Sequence, residues 1–222
     1  GSPVTFWVSK DSGSEDAIAY VIQSGLGLPD EAYYREEAHA ETLSAYEKHV
    51  AEMLEFLDPA RLFGLGAEVA AHRIVSLEKE LAAGHWDVVS TRDAVKTYNP
   101  CEFSELPTMT RALLSGGNLP EHRVVNMMPS YLEHFESLFT TARMADWQLW
   151  ATWHILRSRA AMLPEEVGAK NFEFYGTKLS GATQQRDRWK RAVGLAESLV
   201  GEEIGQVFVE KHFPASSKRE MD

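Results

Sequence analysis

The chain has 222 residues, of which 44% are hydrophobic and 25% charged, the balance of a soluble protein with enough apolar material to bury a core. Its formal net charge of −11, with no basic run longer than Lys190-Arg191, excludes the basic face that a nucleic-acid partner requires. A single cysteine, Cys101, excludes an internal disulfide, and no apolar run reaches membrane-spanning length.

Gly1-Ser2 reads as an expression-tag remnant, which leaves residues 3–222 as the protein proper and targeting unread. Val4–Val8 is strand-like. Gln23–Tyr34 then reads Gln-Ser-Gly-Leu-Gly-Leu-Pro-Asp-Glu-Ala-Tyr-Tyr, where two glycines and a proline stop regular structure. Its leucines, Leu26 and Leu28, need burial, so the loop is expected to lie against a core or line a cleft. Pro29-Asp30 begins a helix carrying Tyr33 and Tyr34. Leu43, Tyr46, Val50, Met53 and Leu57 recur at helical steps and form one apolar stripe. Asp58-Pro59 ends that helix and is suited to cap the next. Ala67, Ala70, Ile74, Leu77 and Leu81 repeat the pattern, and Gly84 is expected to stop it in the left-handed conformation. The two helices should form an antiparallel hairpin joined by a short turn.

Residues 85–107 read as irregular, with Pro100 and Pro107 as breakers. A short helix over Thr108–Leu114 should end at Gly116-Gly117, and Val124–Met127 suits a buried extended segment. Pro129 opens a helix to Phe139. The next helix, about Ala142–Leu163, is apolar on most faces, with Leu149, Trp153, Leu156, Ala160 and Leu163 in one stripe and Trp147 and Trp150 widening it. Pro164 opens a helix to about Lys178, broken at Ser180-Gly181. The last long helix, about Thr183–Lys211, carries the stripe Trp189, Val193, Ala196, Val200, Ile204 and Val207. Ser217 and Glu220 form a capping-box pattern whose single turn should fray. The expected fold class is mainly α, a multi-helix bundle of long antiparallel helices with at most one or two short extended segments. No repeat or low-complexity linker marks an internal boundary, so 3–222 is read as one helical domain.

The chemistry-bearing residues are scattered. The eight histidines, at 39, 49, 72, 85, 122, 134, 154 and 212, include no two closer than ten residues, so no helical pair is set to hold a metal. His154, beside the apolar stripe, is expected to be a satisfied structural histidine, and the others solvated. Cys101 reads as a small buried residue rather than a nucleophile. Glu36-Glu37, Glu165-Glu166 and Glu202-Glu203 are adjacent on helices and point apart, so they are solvated faces rather than acid/base dyads. The tryptophans at 147, 150 and 153 read as core packing. No catalytic, cofactor-binding or metal-ligating residue is assigned in this chain.

Gln23–Tyr34 resembles the Gln-x-Gly-Leu-Gly-Leu-Pro-x-x-x-Tyr-Tyr region of the neprilysin and endothelin-converting-enzyme family of zinc metallopeptidases, including its bacterial oligopeptidase members. Other pieces follow in the family's order: Phe6-Trp7-Val8 with Asp11, Leu77-Glu78-Lys79-Glu80-Leu81-Ala82, Tyr98-Asn99-Pro100 with Glu105-Leu106, and Phe174-Tyr175, Gly181 and Arg188-Trp189. The resemblance implies a non-catalytic helical lid that encloses the active-site chamber and limits substrates to peptides. It implies zinc in the parent protein, held by a His-Glu-x-x-His motif that this chain lacks, and packing against a separate catalytic domain. This chain alone should bind no zinc and be inactive. Members working outside animal cells tend to carry a cysteine where this chain has Ala192, so a bacterial cytoplasmic setting is favoured over an extracellular one. The other reading is an autonomous helical module that binds a protein partner without enzymatic activity.

Overall fold

The computed structural model describes residues 2–213, and the capping-box pattern at Ser217 and Glu220 lies outside the described residues. The chain divides into two compact units, with the division in sequence between Ser158 and Arg159.

The first unit opens with a hairpin of strands β1 (Val4–Lys10) and β2 (Ala17–Gln23). It continues with a single helical turn α1 (Ala32–Arg35) and the long helices α2 (Ala40–Leu54) and α3 (Ala67–Ala83). Short strands β3 (Pro100–Cys101) and β4 (Val124–Asn126) flank helix α4 (Thr108–Gly116), and α5 (Pro129–Leu138) and α6 (Met144–Arg159) complete the unit. The strands form one sheet in the order β1-β2-β4-β3, with β2 and β4 parallel and the other two pairings antiparallel.

The protein is mainly helical, as the periodicities predict, but four strands replace the expected one or two. Two strands are missing from the sequence reading, β2 and the two-residue β3, which falls in the stretch read as irregular. The Ile18-Ala19-Tyr20-Val21 run of β2 is buried throughout. A strand covered on both faces shows no alternation, and a short apolar run without alternation carries no strand signature of its own.

The helix stripes are the core. Tyr46, Val50 and Met53 of α2 meet Ile74, Leu77 and Leu81 of α3, all fully buried. The joint between these helices is longer than a short turn. Asp58 accepts from the Ala60 N–H (2.8 Å) and Pro59 starts only a 3-10 turn, which Phe63 and Gly64 end at φ of 55° and 75°. Gly84 ends α3 at φ −95°, so it is not left-handed. A glycine is needed there because the His134 ring occupies the place where a side chain would start.

The second unit runs from the 3-10 turn Ala160–Met162 into α7 (Glu165–Phe172), which widens into a π-helical segment, Glu173–Lys178, and stops at Gly181 with φ +69°. Helix α8 (Arg188–His212) follows, with non-helical backbone at Val200. Arg188 donates to the Leu163 and Met162 carbonyls (3.1 and 3.2 Å) and Arg191 to Ala161 (2.7 Å), satisfying acceptors that the preceding helix end leaves open. No residue of α8 is buried, and Trp189 is 65% exposed. Periodicity identifies an apolar face; it carries no information about what covers that face.

Candidate functional site

The Gly-Leu-Gly-Leu-Pro segment is a packed loop, and its glycines are set by neighbours rather than by turn type alone. Gly25 sits at φ +98°, and an added side chain there would press on Pro3 and Leu81. Its carbonyl accepts from the Trp150 indole N–H at 3.0 Å. At Gly27 a side chain would collide with the Tyr46 phenol. The N–H groups of Gly27 and Leu28 both donate to the Tyr34 hydroxyl at 3.0 Å, so the second tyrosine of the Tyr33-Tyr34 pair folds back to cap its own loop. Leu28 is buried and Leu26 half-buried, in keeping with a loop laid against a core.

That hydroxyl leads inward to Glu78, a carboxylate with no solvent exposure. Glu78 accepts from the Tyr34 hydroxyl at 2.6 Å, the Tyr46 hydroxyl at 3.1 Å and His154 Nε2 at 2.8 Å. Tyr46 in turn accepts from the Trp153 indole N–H at 2.8 Å. Every donor in the chain points the same way and ends on one carboxylate. A buried charge is tolerated only when its lone pairs are taken up like this. Burial holds the His154 imidazole below its ordinary titration range, and the Glu78 carboxylate pulls in the opposite direction. The Trp150 ring lies over His154 with centroids 4.1 Å apart. The expectation of a satisfied structural histidine therefore acquires a partner, and the partner was missed. Its sign was present in the sequence: Ile74, Val75, Leu81 and Ala82 stand three and four residues on either side of Glu78, so it lies on the apolar face of α3.

Two further expectations are corrected. His49 is buried, its ring edge-on to Trp153 with centroids 5.8 Å apart. His85 is half-buried, 3.2 Å from the Ser24 carbonyl, and burial lowers its pKa to about 4. Both sit against aromatic rings rather than in solvent, because the residues that cover them are distant in sequence. Tyr131, edge-on to His85, shares its hydroxyl proton between the carbonyls of Pro3 (2.6 Å) and Ser24 (3.0 Å). Cys101 is partly buried, and the three carboxylate pairs are exposed. Trp147, Trp150 and Trp153 are all buried in the core.

A second polar knot joins two pieces far apart in sequence. Asp11, buried at the β1–β2 turn, accepts from the Gly13 N–H (3.1 Å), the Ser14 hydroxyl (3.0 Å) and the Tyr98 hydroxyl (2.7 Å). The Gly13 N–H and the Tyr98 hydroxyl hold its carboxyl below the usual carboxylate range.

Outside these knots lies a cleft of about 660 Å³ in the first unit. Glu31, Tyr34 and Arg35 form one wall, the end of α3 with Lys79 the floor, and the loop from His85 to Lys96 the other wall. The residues present do not suit zinc. Among the described residues no three His, Cys, Asp or Glu side chains come together, and the His154–Glu78 pair is enclosed and already hydrogen-bonded. What the buried groups do chemically is fix the loop.

The comparisons give this arrangement its setting. The profile of peptidase family M13 matches residues 1–222. Neprilysin-2 of Drosophila melanogaster is 28% identical over 88% of this chain and 28% of its own length. Human endothelin-converting enzyme 1 is 27% identical over 96% of this chain and 29% of its own length. Among solved structures, the zinc metalloprotease ZMP1 of Mycobacterium tuberculosis in its open state matches all of this chain and 35% of its own, with a TM-score of 0.86 and 40% identity. The chain thus spans under a third of the length of these curated relatives. The segments that meet at Glu78 and at Asp11 are the ones whose order resembled a metallopeptidase family, and with the profile covering every residue the chain belongs to peptidase family M13, as its N-terminal region.

Proposed function

We propose that this chain is a non-catalytic helical domain of a zinc-dependent metalloendopeptidase, one that encloses the active-site chamber and admits only peptides. The observation that carries the reading is that the M13 profile covers the whole chain while the sequence holds no His-Glu-x-x-His. On this reading residues 3–222 act as one domain, and the long helices are walls of an antiparallel bundle. The exposed apolar face of α8 is where the catalytic part packs. Zinc, the general base and the groups that clamp substrate belong to the rest of the parent. Catalytic, cofactor and metal residues are accordingly assigned to none of the positions here.

The test is a size series. Fluorogenic peptides of increasing length, and a folded protein with the same cleavable segment, are given to the full-length parent. Cleavage of the peptides with the folded protein spared is expected, and equal cleavage of both removes the chamber role.

A further inference from the structure

The cleft beside the Gly-Leu-Gly-Leu-Pro loop has features that packing alone does not require. Its volume, about 660 Å³, is that of a small-ligand site. Its walls are held rigidly. Trp86 donates its N–H to the Gln23 side-chain oxygen and accepts from the Gln23 amide, both at 2.8 Å, and its indole N–H reaches Ser130 at 2.8 Å. Tyr34 is fastened to Glu78.

The charges in the cleft are unevenly satisfied. Arg35 clasps Glu31 through Nε and Nη2 at 2.9 and 3.1 Å. Asp87 turns its oxygens to the N–H groups of Val89 and Ser90 and to the Ser90 hydroxyl. Lys96 is 3.6 Å from Asp93. Lys79, on the floor and exposed, has no carboxylate partner among the described residues. The apolar part of the lining comes from Ala82, Ala83 and Trp86, beside Lys79.

We propose that this cleft is a peptide subsite in which Lys79, backed by Arg35 and Lys96, takes a carboxylate while an apolar side chain next to it rests on Ala82, Ala83 and Trp86. The proposal rests on reading the parent as a peptidase, and it adds an anchoring point on this chain. The carboxylate comes either from a peptide C-terminus or from an acidic side chain. A preformed pocket with one unpartnered cation suits either, because little ordering is needed on binding.

Three fluorescein-labelled hexapeptides of Leu, Val and Ala separate the sources: one with a free C-terminal carboxylate, one amidated, and one amidated with Glu at the penultimate position. Fluorescence anisotropy with the 222-residue chain measures binding. At least one carboxylate-bearing peptide is expected to bind roughly tenfold or more tightly than the neutral amide. Lys79→Glu should abolish that preference with an unchanged circular dichroism melt, whereas Lys178→Glu, an exposed position in the second unit, should leave it intact. Equal binding of all three peptides, no binding, or equal loss in both variants would overturn the proposal. Those outcomes leave the chamber reading standing, since it is decided by the parent's size selection.

Discussion

Three donors end on Glu78, a carboxylate fully shielded from solvent. Glu78→Ala orphans all three and should lower unfolding free energy by about 3–5 kcal/mol in a urea titration. A loss under about 1 kcal/mol would mean the network does not hold the loop. Trp153→Ala empties a fully buried aromatic site and removes the donor to Tyr46, at an expected cost of about 3–5 kcal/mol by the same titration. Glu52→Ala, on the outer face of α2 and 3.7 Å from Lys48, should change stability by no more than about 0.5 kcal/mol.

His85 gives stability a dependence on pH. Its folded pKa, about 4, lies below the ordinary 6.5, so the unfolded chain binds the proton more readily between those values. The contribution is full above pH 6.5 and is lost as pH falls from there toward 4. His154 is shifted in the same direction. Urea midpoints should therefore fall between pH 7.5 and pH 5, with part of the slope removed in His85→Asn. A flat profile over that range would contradict the burial of both rings. At this scale the sequence was half informative. His154 could be read as structural from its place on an apolar helix, and Glu78 could have been read from its apolar neighbours. The burial of His49 could likewise have been read from Tyr46 and Met53, three and four residues away, whereas that of His85 depends on Tyr131, supplied by tertiary packing, and no helical stripe announces it.

Among the elements, those whose faces differ in polarity were the ones the sequence placed well. The α2 and α3 stripes, the proline that opens α5 and the glycines that close α4 all fall close to where periodicity and capping put them. The strand β2 was lost because its successive residues Ile18 to Val21 are all buried and show no alternation, and Gly84 was explained by the wrong property, conformation instead of space. The loop Gln23–Tyr34 offers a sharp test of that distinction. Gly25→Ala meets both obstacles, a left-handed φ and contact with Pro3 and Leu81, whereas Gly64→Ala meets only the first, with open space around it. The Gly25 variant should be the more destabilised in thermal melts. Equal effects would mean that the loop is not pressed against β1 and α3.

For the whole molecule, the family assignment places a mainly helical chain within peptidase family M13, as its N-terminal region. Five segments in family order were readable from the sequence, yet their purpose was not. In the folded chain the signature loop and the Leu-Glu helix meet at Glu78, while the Tyr-Asn-Pro loop closes on Asp11, so these motifs tie distant pieces of the fold together. Zinc analysis of the dialysed 222-residue chain, combined with turnover of a fluorogenic peptide, bears most directly on the claim that this chain is non-catalytic. The account predicts no retained zinc and no turnover from this chain, against chelator-sensitive cleavage by the full-length parent. Tightly held zinc, or chelator-sensitive turnover by the 222-residue chain itself, would contradict it.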